Sequence, residues 1–529
     1  MVPKTISFSA NARSELCKGI ELPARAIRAA FGPNGTGTIF HRPPAAPEVL
    51  FDGFSIAREV IATDPTARLA STTLKEVLFD LDREFGDGTS ALALIADEII
   101  RGARIAIEGG YDPGSLADAL LRCAAMAAAE NASNSVTYCQ SSHARGIAET
   151  AAMGEHQLVE IVVQLSDELG PDARIMVKEG SGREITTRIL PGMSLSAGHV
   201  SPQLQVNEPG EADVYYNPYV MLVDENIDDF GKLVPVLEGF AQKDKSLVVF
   251  ARGISGPALA ALVVNVRENG LKASAVAVPD VSSRVFDVLR DLAVLTGAEI
   301  VGQQTGYTLD RFLPHMLGRL ERIEIQGNIS ILVGTAPDPE KLNAHRAELR
   351  AEIERNSYLS LDKERLESRL ARLGGGIGEV LIAARSAPEQ KRLTILARRA
   401  VNALFVARRS GVVPGGGAAY RNAAARLADN RAETDTELVA FRLLARALAT
   451  PEHTLAAGLK PANGVATLRA LDKTDHPHSV LDLRSGEIVD AFQSELLEPA
   501  ELVSEVILRA ASMSATLIRA EVCIADLGI

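Results

Sequence analysis

The order of secondary-structure patterns along the chain limits the possible folds more than any other feature of the sequence. Helical spacing interrupted by glycines dominates the first and last thirds of the 529 residues. The middle third instead alternates helical patterns with apolar, strand-like runs such as 245–253 (KSLVVFARG), which is typical of an α/β domain. A chain of this length is too long for one compact core. We therefore predict a multidomain α+β protein in which the two helix-rich ends form one domain around an α/β insert.

Composition and charge restrict the function classes. A formal net charge of −13 disfavours general nucleic-acid binding, because the phosphate backbone is also negative. No charge-free apolar stretch approaches the ~20 residues of a membrane span, and the N-terminus has no apolar signal region. The four cysteines form no CxxC pair and fit a reducing compartment. We expect a soluble cytoplasmic protein without nucleic-acid or membrane partners.

The segment 86–90 (GDGTS), which precedes a long helical pattern, is the strongest local motif. Thr89 or Ser90 can cap the helix, and a helix N-terminus that follows glycines is suited to phosphate. Asp87 offers the oxygen ligand that Mg²⁺ prefers. By itself the pattern is more often an ordinary capped helix start. The turns at 32–35 (GPNG), 52–53 (DG) and 415–417 (GGG) are likewise more often plain turns when each is taken alone.

Taken together and in order, these pieces become specific. The segments are AFGPNG (30–35), FDGFSIARE (51–59), GDGTSALALIADEII (86–100), GYDPGSLADAL (110–120) and GVVPGGGAAYRNAA (411–424). In this order they resemble the group I chaperonins of the GroEL type, and the similarity runs from about residue 5 to the C-terminus. The chain is identified by this resemblance as a divergent relative of that family.

The resemblance implies a domain organisation, an assembly and partners. An equatorial helical domain would bind ATP, an apical α/β domain would bind non-native polypeptides and a GroES-type lid co-chaperonin, and an intermediate domain would connect them. Subunits would assemble into seven-membered rings, either alone or mixed with a paralogue. The implied boundaries are 1–133 and 408–529 for the equatorial domain, 134–190 and 375–407 for the intermediate domain, and 191–374 for the apical domain. Gly192 and Gly375 would be the hinge residues.

The resemblance also implies a site for ATP and Mg²⁺. Asp52 matches a carboxylate linked to hydrolysis, Asp87 matches the Mg²⁺ ligand, and Gly416 matches a glycine near the ribose. The whole implied nucleotide set is Ala30, Phe31, Gly32, Pro33, Phe51, Asp87, Gly88, Thr89, Ser90, Ala91, Gly416 and Glu498.

Several positions in this set depart from the family pattern. Phe51 replaces a lysine, Ala30 and Ala91 replace threonines, and Glu498 stands for an aspartate after a small insertion. The second catalytic aspartate aligns with Arg399, and no Asp or Glu occurs anywhere between residues 390 and 417. Because arginine is always charged and cannot accept a proton, we predict that nucleotide binds but that hydrolysis is slow or absent.

The implied polypeptide-binding groove keeps much of its apolar character. Val234, Leu237, Leu259, Val263 and Val264 match apolar positions of two apical helices, although residues at such spacing are more often core residues. In the adjacent segment, three residues stand where aromatic side chains are usual, and these are His199, Gln203 and Leu204. We therefore expect a groove that is more polar at one edge.

Two functions remain open at this point, together with a weaker third possibility. The first is an ATP-dependent protein-folding chaperonin that acts with a lid co-chaperonin. The second is a hydrolysis-deficient paralogue that binds peptides passively or joins mixed rings. The third is a relic that folds without assembling. The pair Phe51 and Arg399 is the feature that separates the first two.

Overall fold

The computed structural model describes residues 4–526 with short gaps at 43, 45–46, 171–173, 209–210, 230, 232, 243–244, 279–284, 303, 336, 356–365, 367–368, 371, 374–375, 430–431, 460 and 472–475. Contacts divide the chain into two compact units. Unit 1 comprises Met1–Gln164, Val177–Thr186 and Leu381–Ile529, and unit 2 comprises Leu165–Met176 and Thr187–Val380. The two chain ends therefore share one unit, and the middle of the chain forms the other.

The described helices are α1 (Ser9–Ala30), α2 (Gly53–Glu59), α3 (Pro65–Phe85), α4 (Thr89–Glu108), α5 (Pro113–Ser133), α6 (Gln140–Ala151), α7 (His156–Leu169), α8 (Val234–Ala241), α9 (Gly256–Arg267), α10 (Val285–Thr296), α11 (Pro339–Arg355), α12 (Ala387–Ser410), α13 (Ala418–Asp429), α14 (Asp435–Leu448), α15 (Thr450–Ala457), α16 (Pro461–Leu471) and α17 (Ala500–Arg519).

The described strands are β1 (Lys4–Phe8), β2 (Thr38–Phe40), β3 (Glu48–Leu50), β4 (Arg174–Glu179), β5 (Thr186–Leu195), β6 (Asp213–Tyr216), β7 (Tyr219–Ile227), β8 (Leu247–Ile254), β9 (Ala273–Ala277), β10 (Ile300–Val301), β11 (Gly318–Arg319), β12 (Arg322–Gln326), β13 (Ile329–Val333), β14 (Gly376–Ile382), β15 (Val412–Pro414), β16 (Ser479–Leu481), β17 (Ile488–Asp490), β18 (Leu497–Pro499) and β19 (Val522–Asp526).

Unit 1 is a helical body that contacts between the two chain ends hold together. Asp64 and Asp112 cap α3 and α5, each followed by a proline whose missing N–H costs nothing at that position. The buried amide of Asn131 in α5 donates to the Ala500 carbonyl at the start of α17, at 2.9 Å. Strands β1 and β19 pair antiparallel, with Lys4 opposite Asp526. The predicted union of the two helix-rich ends is therefore present in the fold.

Unit 2 contains two sheets. Strands β10, β7, β8 and β9 lie side by side and parallel, and β11 adds antiparallel to β7. Apolar side chains from both faces of this sheet are buried, which explains the nearly continuous apolar runs in β7 and β8. Strands β5, β13, β12 and β6 form antiparallel neighbours of a second sheet. The expected α/β character of the middle third is confirmed.

The predicted boundaries of a third, intermediate domain stay predictions, because the contacts separate only two units. Gly192 lies in β5 opposite Val333, where a Cβ would meet the Leu332 carbonyl oxygen at 2.3 Å. The close approach of β5 and β13 therefore requires glycine at position 192. This requirement holds whether or not Gly192 is also a hinge residue. Gly375, the other predicted hinge, lies outside the described residues.

Candidate functional site

The start of α4 presents backbone N–H groups to a glycine turn. Gly88 is the N-cap, with φ 81°, and as a glycine it has no side chain that could cap the helix. Thr89 is the first helical residue, so the expected capping by Thr89 or Ser90 is wrong. The N–H groups of Thr89, Ser90 and Ala91 lie in the first turn, where helices lack internal acceptors. This helix end is suited to an anion.

The turn at Asp52 lies directly beside this helix end. A Cβ on Gly53 would lie 2.8 Å from the Ser90 backbone nitrogen, so only glycine permits the approach. Asp52 caps α2, because its Oδ1 accepts from the Ser55 N–H at 2.7 Å. Its Oδ2 is buried and hydrogen bonds to no described residue. One carboxylate oxygen thus remains available beside the start of α4.

Arg399 of α12 reaches the same place from a distant part of the sequence. Its guanidinium forms an ion pair with Asp87 Oδ1, which also accepts from the Gly88 N–H at 2.7 Å. The Arg399 side chain is only 13% exposed. A largely buried guanidinium is therefore paired with the carboxylate that the family resemblance implied as the Mg²⁺ ligand.

Gly416 and Glu498 complete the arrangement. Strands β15 and β18 pair so that Val413 lies opposite Glu498, and the Gly416 N–H donates to Glu498 Oε1 at 3.1 Å. Burial, and then the Asp87 charge, raise the pKa of Glu498 to about 7. Since Asp87 and Arg399 both influence Glu498, the Gly416 loop and the Asp87 loop face one region.

Asp82 is a carboxylate of this region that the sequence reasoning missed. It lies on α3, one turn before the glycine that ends that helix. Burial, and then the charges of Asp52 and Asp87, raise the pKa of Asp82 to about 6, while Arg399 opposes the shift. Its position four residues before Gly86 was the one feature of the sequence that could have indicated a place in this site. Four carboxylates, those of Asp52, Asp82, Asp87 and Glu498, therefore share the site with one guanidinium.

The Gly32 turn reaches the site through α15. A Cβ on Gly32 would meet Leu455 Cδ2 at 2.3 Å, and one on Gly417 would meet the Glu452 backbone nitrogen at 2.9 Å. The same short helix thus packs against both glycine loops. Ala30 ends α1 and is buried, Phe31 is the C-cap and Pro33 is exposed. Phe51 is 38% exposed.

A cavity of about 430 Å³ lies beside the 31–35 turn, lined in part by Phe31, Asn34, Gly35 and Leu455. The TCP-1/cpn60 chaperonin family model matches residues 24–526, which include every loop of the site.

The chain belongs to the TCP-1/cpn60 chaperonin family.

A solved chaperonin has the same fold. It is chaperonin gp146 from the bacteriophage EL 2 (Pseudomonas aeruginosa), crystallised in the presence of ATP-BeFx. The TM-score is 0.72 at 17% sequence identity, and the match covers 99% of each chain. The predicted divergent chaperonin with an α+β multidomain fold is thereby confirmed. None of the described helices is both long and apolar enough to cross a membrane.

The predicted polypeptide-binding residues of this chaperonin divide by burial. Leu204 and Leu237 are buried in the core of unit 2, at 0% and 5% exposure. His199 is also buried, with Nδ1 2.8 Å from Ser274 Oγ and Nε2 3.0 Å from Asp213 Oδ2. These side chains are occupied in packing or hydrogen bonds within the unit.

The other members of that set lie at or near the surface. Gln203 and Val264 are exposed, Val264 by 44%, while Val234, Leu259 and Val263 are partly buried. Arg267 of α9 donates to the Gln203 carbonyl at 3.0 Å and fixes the segment that carries Gln203 beside α9. Helix α9 and this segment therefore form a surface of unit 2 that carries both polar and apolar side chains.

The site residues of this chaperonin fit ATP better than they fit Mg²⁺. The start of α4 and the Arg399 guanidinium supply positive charge for phosphates, and Glu498 offers an acceptor beside Gly416. The arrangement does not fit Mg²⁺ on Asp87, because Oδ1 already accepts two hydrogen bonds and Arg399 would repel a divalent cation.

Proposed function

We propose that this chain is a chaperonin subunit that binds ATP at the Asp87 site and non-native polypeptides on unit 2, and that hydrolyses ATP slowly. The observation that carries the proposal is the ion pair between Arg399 and Asp87. Family membership supports nucleotide binding and polypeptide binding in general. The ion pair favours the hydrolysis-deficient alternative over a fast ATP-driven machine.

Each site residue has a role that follows from its chemistry. The N–H groups of Thr89, Ser90 and Ala91 bind phosphate oxygens, and Gly32 and Pro33 close the phosphate side with Ala30 and Phe31. Glu498, next to Gly416, accepts a hydrogen bond from the ribose. Phe51 gives the pocket an apolar wall. This set binds and orients the nucleotide but does not cleave it.

Hydrolysis needs a group that orients and deprotonates the attacking water. Asp52 Oδ2 is such an acceptor and is unpaired among the described residues. An arginine in the position of the second carboxylate cannot accept a proton, and general-base assistance is worth roughly 10²–10⁴-fold in rate. Arg399 can instead pair with the γ-phosphate and hold ATP in place. Mg²⁺ on Asp87 is given no part in this function, because the Arg399 guanidinium already neutralises that carboxylate.

A single-turnover experiment tests this proposal. We expect the purified protein to retain ATP in equilibrium dialysis while releasing phosphate at least about 100-fold more slowly than a GroEL-type chaperonin measured alongside. The dialysis arm separates failure to bind from failure to hydrolyse. Phosphate release at the rate of the GroEL-type chaperonin would disprove the impaired hydrolysis.

The polypeptide surface is proposed on the face of α9 that carries Leu259, Val263 and Val264, beside Gln203 and Val234. An exposed valine on a helix that presents other apolar side chains is suited to unfolded segments. Three buried side chains lie beneath this surface, those of Leu204, Leu237 and His199.

Replacing Val264→Ser should weaken capture of an unfolded polypeptide by roughly fivefold or more. Loss of about 1 kcal/mol of apolar contact per subunit gives that factor, and several subunits in a ring would multiply it. The measurement is the fraction of a denatured, fluorescently labelled protein held by the chaperonin. Ile189→Ser is the matched control, since Ile189 is an equally exposed apolar residue on β5 of the same unit. Equal capture by both variants would exclude α9 as the binding surface.

The assembly and location follow from the family and stay proposals. We propose a cytoplasmic, seven-membered ring that acts with a GroES-type lid co-chaperonin or joins mixed rings with a hydrolysing paralogue. Size-exclusion chromatography distinguishes a ring from the monomeric relic, because a ring elutes far earlier than a single 56.3 kDa chain.

A further inference from the structure

Two histidines and an aspartate meet at the β16–β17 hairpin, and none of the three belongs to the residues assigned to nucleotide. His476, His478 and Asp490 each offer one ligand atom, and these atoms lie within 4.8 Å of one another. The rings of His476 and His478 have centroids 5.1 Å apart, and His478 Nδ1 is 3.9 Å from Asp490 Oδ2. We propose that these three residues form a site for a first-row divalent metal ion such as Zn²⁺.

The backbone around His478 is held on both sides. The amide of Asn422 donates to the Pro477 carbonyl at 2.7 Å, and Arg421 donates to the Ser479 carbonyl at 2.6 Å. Both donors belong to α13. The Ala491 N–H also donates to the His478 carbonyl at 2.9 Å across the hairpin. The position of His478 is therefore set before any ion binds, which reduces the entropy lost on binding.

Asp490 is oriented in the same way. Its Oδ1 accepts from the N–H groups of Phe492 and Gln493 at 2.9 and 3.0 Å. These bonds fix the carboxylate so that Oδ2 is directed to His478. The Phe492 ring packs against the His478 ring, with centroids 4.8 Å apart. Hydrogen bonds and packing that orient ligands are characteristic of functional metal sites.

The donor set indicates the class of metal. Two imidazoles and one carboxylate suit Zn²⁺ and neighbouring first-row divalent ions, whereas Mg²⁺ and Ca²⁺ prefer oxygen ligands. His476 is exposed and His478 and Asp490 are partly exposed, so the ion can enter from solvent. Water would complete the coordination.

A bound ion would hold the β16–β17 hairpin in its position against the Gly416 loop. Val480, two residues after His478, has its Cγ2 2.8 Å from the position of a Cβ on Gly416. Gly416 itself has φ 60° and therefore depends on glycine. Strand β16, which His478 directly precedes, therefore lies against the Gly416 loop.

Calorimetric titration of the metal-free full-length protein with Zn²⁺ tests the proposal. All samples carry Cys139→Ser, since Cys139 is an exposed thiol that could bind zinc by itself. We expect one saturable site per chain. His478→Gln should weaken binding at least tenfold, because loss of even an outer partner of a metal ligand costs about 10–100-fold.

Two comparisons make the test decisive. His476→Gln should weaken Zn²⁺ binding like His478→Gln, whereas His315→Gln, which changes an exposed histidine of unit 2, should leave the isotherm unchanged. Mg²⁺ should give no saturable heat in this site. The proposal is overturned if Zn²⁺ does not saturate one site, or if the His476 and His478 variants bind as the parent does. ATP retention plays no part in the readout, so failure of the nucleotide proposal would leave this result intact.

Discussion

Replacing Arg399→Asp should raise the rate of ATP hydrolysis by at least about 100-fold, because it puts a proton acceptor in place of a permanent cation. The substitution also breaks the ion pair with Asp87 Oδ1, so that the Asp87 carboxylate is no longer neutralised by a guanidinium. Single-turnover phosphate release, measured with saturating ATP and Mg²⁺, reports the change directly.

Arg398→Asp is the matched control for this experiment. Arg398 is the neighbouring residue of α12, is exposed, and undergoes the same change of charge. It should leave hydrolysis within about twofold of the parent, since Arg398 is exposed and salt screens its effect on the carboxylates of the site. If Arg399→Asp and the parent chain hydrolyse ATP equally fast, the assignment of Arg399 as the cause of slow hydrolysis is wrong.

Replacing Asp291 with alanine should destabilise unit 2 by about 3 kcal/mol, the low end of the cost of breaking a buried ion pair, because the Arg369 guanidinium keeps only the partly exposed Asp287 of its described ionic partners. Asp291 Oδ1 accepts from Arg369 at 2.8 Å and lies 2.8 Å from His345 Nε2, while Oδ2 accepts from Arg369 Nε at 3.0 Å. All three side chains are at most 5% exposed. Hydrogen exchange of the α10 and α11 amides in the intact protein measures the loss.

The pH dependence of that loss has a definite sign. Burial alone would raise the pKa of Asp291, but hydrogen bonds from His345 and Arg369 outweigh it and hold the pKa below its usual value. A carboxyl group with a depressed folded pKa adds stability above the ordinary carboxyl range, and this stability is lost as the pH falls through the lower, folded pKa. The difference between Asp291→Ala and the parent should therefore shrink in acid.

Glu348→Ala is the control for Asp291. It breaks the exposed pair between Arg290 and Glu348, whose side chains are 46% and 62% exposed, and removes the 3.7 Å contact of Glu348 with His345 Nδ1, but it leaves the bonds of Asp291 to Arg369 and His345 in place. Exposed ion pairs contribute about 0–1 kcal/mol, so exchange in α10 and α11 should change little. Similar effects of the two substitutions on hydrogen exchange would show that burial of the Asp291 cluster does not determine its contribution to the stability of unit 2.

Much of the fold could be predicted because its signals are local. The apolar run of β8, the aspartates that cap α3 and α5, and the glycines around Asp87 each act within a few residues along the chain. Such patterns fix elements and their order, and five ordered loops were enough to indicate the chaperonin family. The cap of α4 was misjudged, because Gly88, rather than Thr89 or Ser90, takes the N-cap position.

The polypeptide surface shows where local patterns fail. Leu237 and Val264 have the same apolar character in the sequence, yet Leu237 is buried and Val264 is 44% exposed. Helical spacing identifies an apolar face but not which element covers it. His199 could be expected at a groove edge, but its side chain is buried inside unit 2, with Nδ1 2.8 Å from Ser274 Oγ and Nε2 3.0 Å from Asp213 Oδ2.

The family, the helix–α/β–helix order and the arginine at position 399 are all evident from the amino-acid sequence. The role of Arg399 emerges only from the folded chain, since its partner Asp87 lies 312 residues earlier. The same holds for Asp82 beside Asp52, and for His476 and His478 beside Asp490. The physical reason is that charge interactions and metal coordination depend on distances of a few ångströms, which packing sets and sequence separation does not.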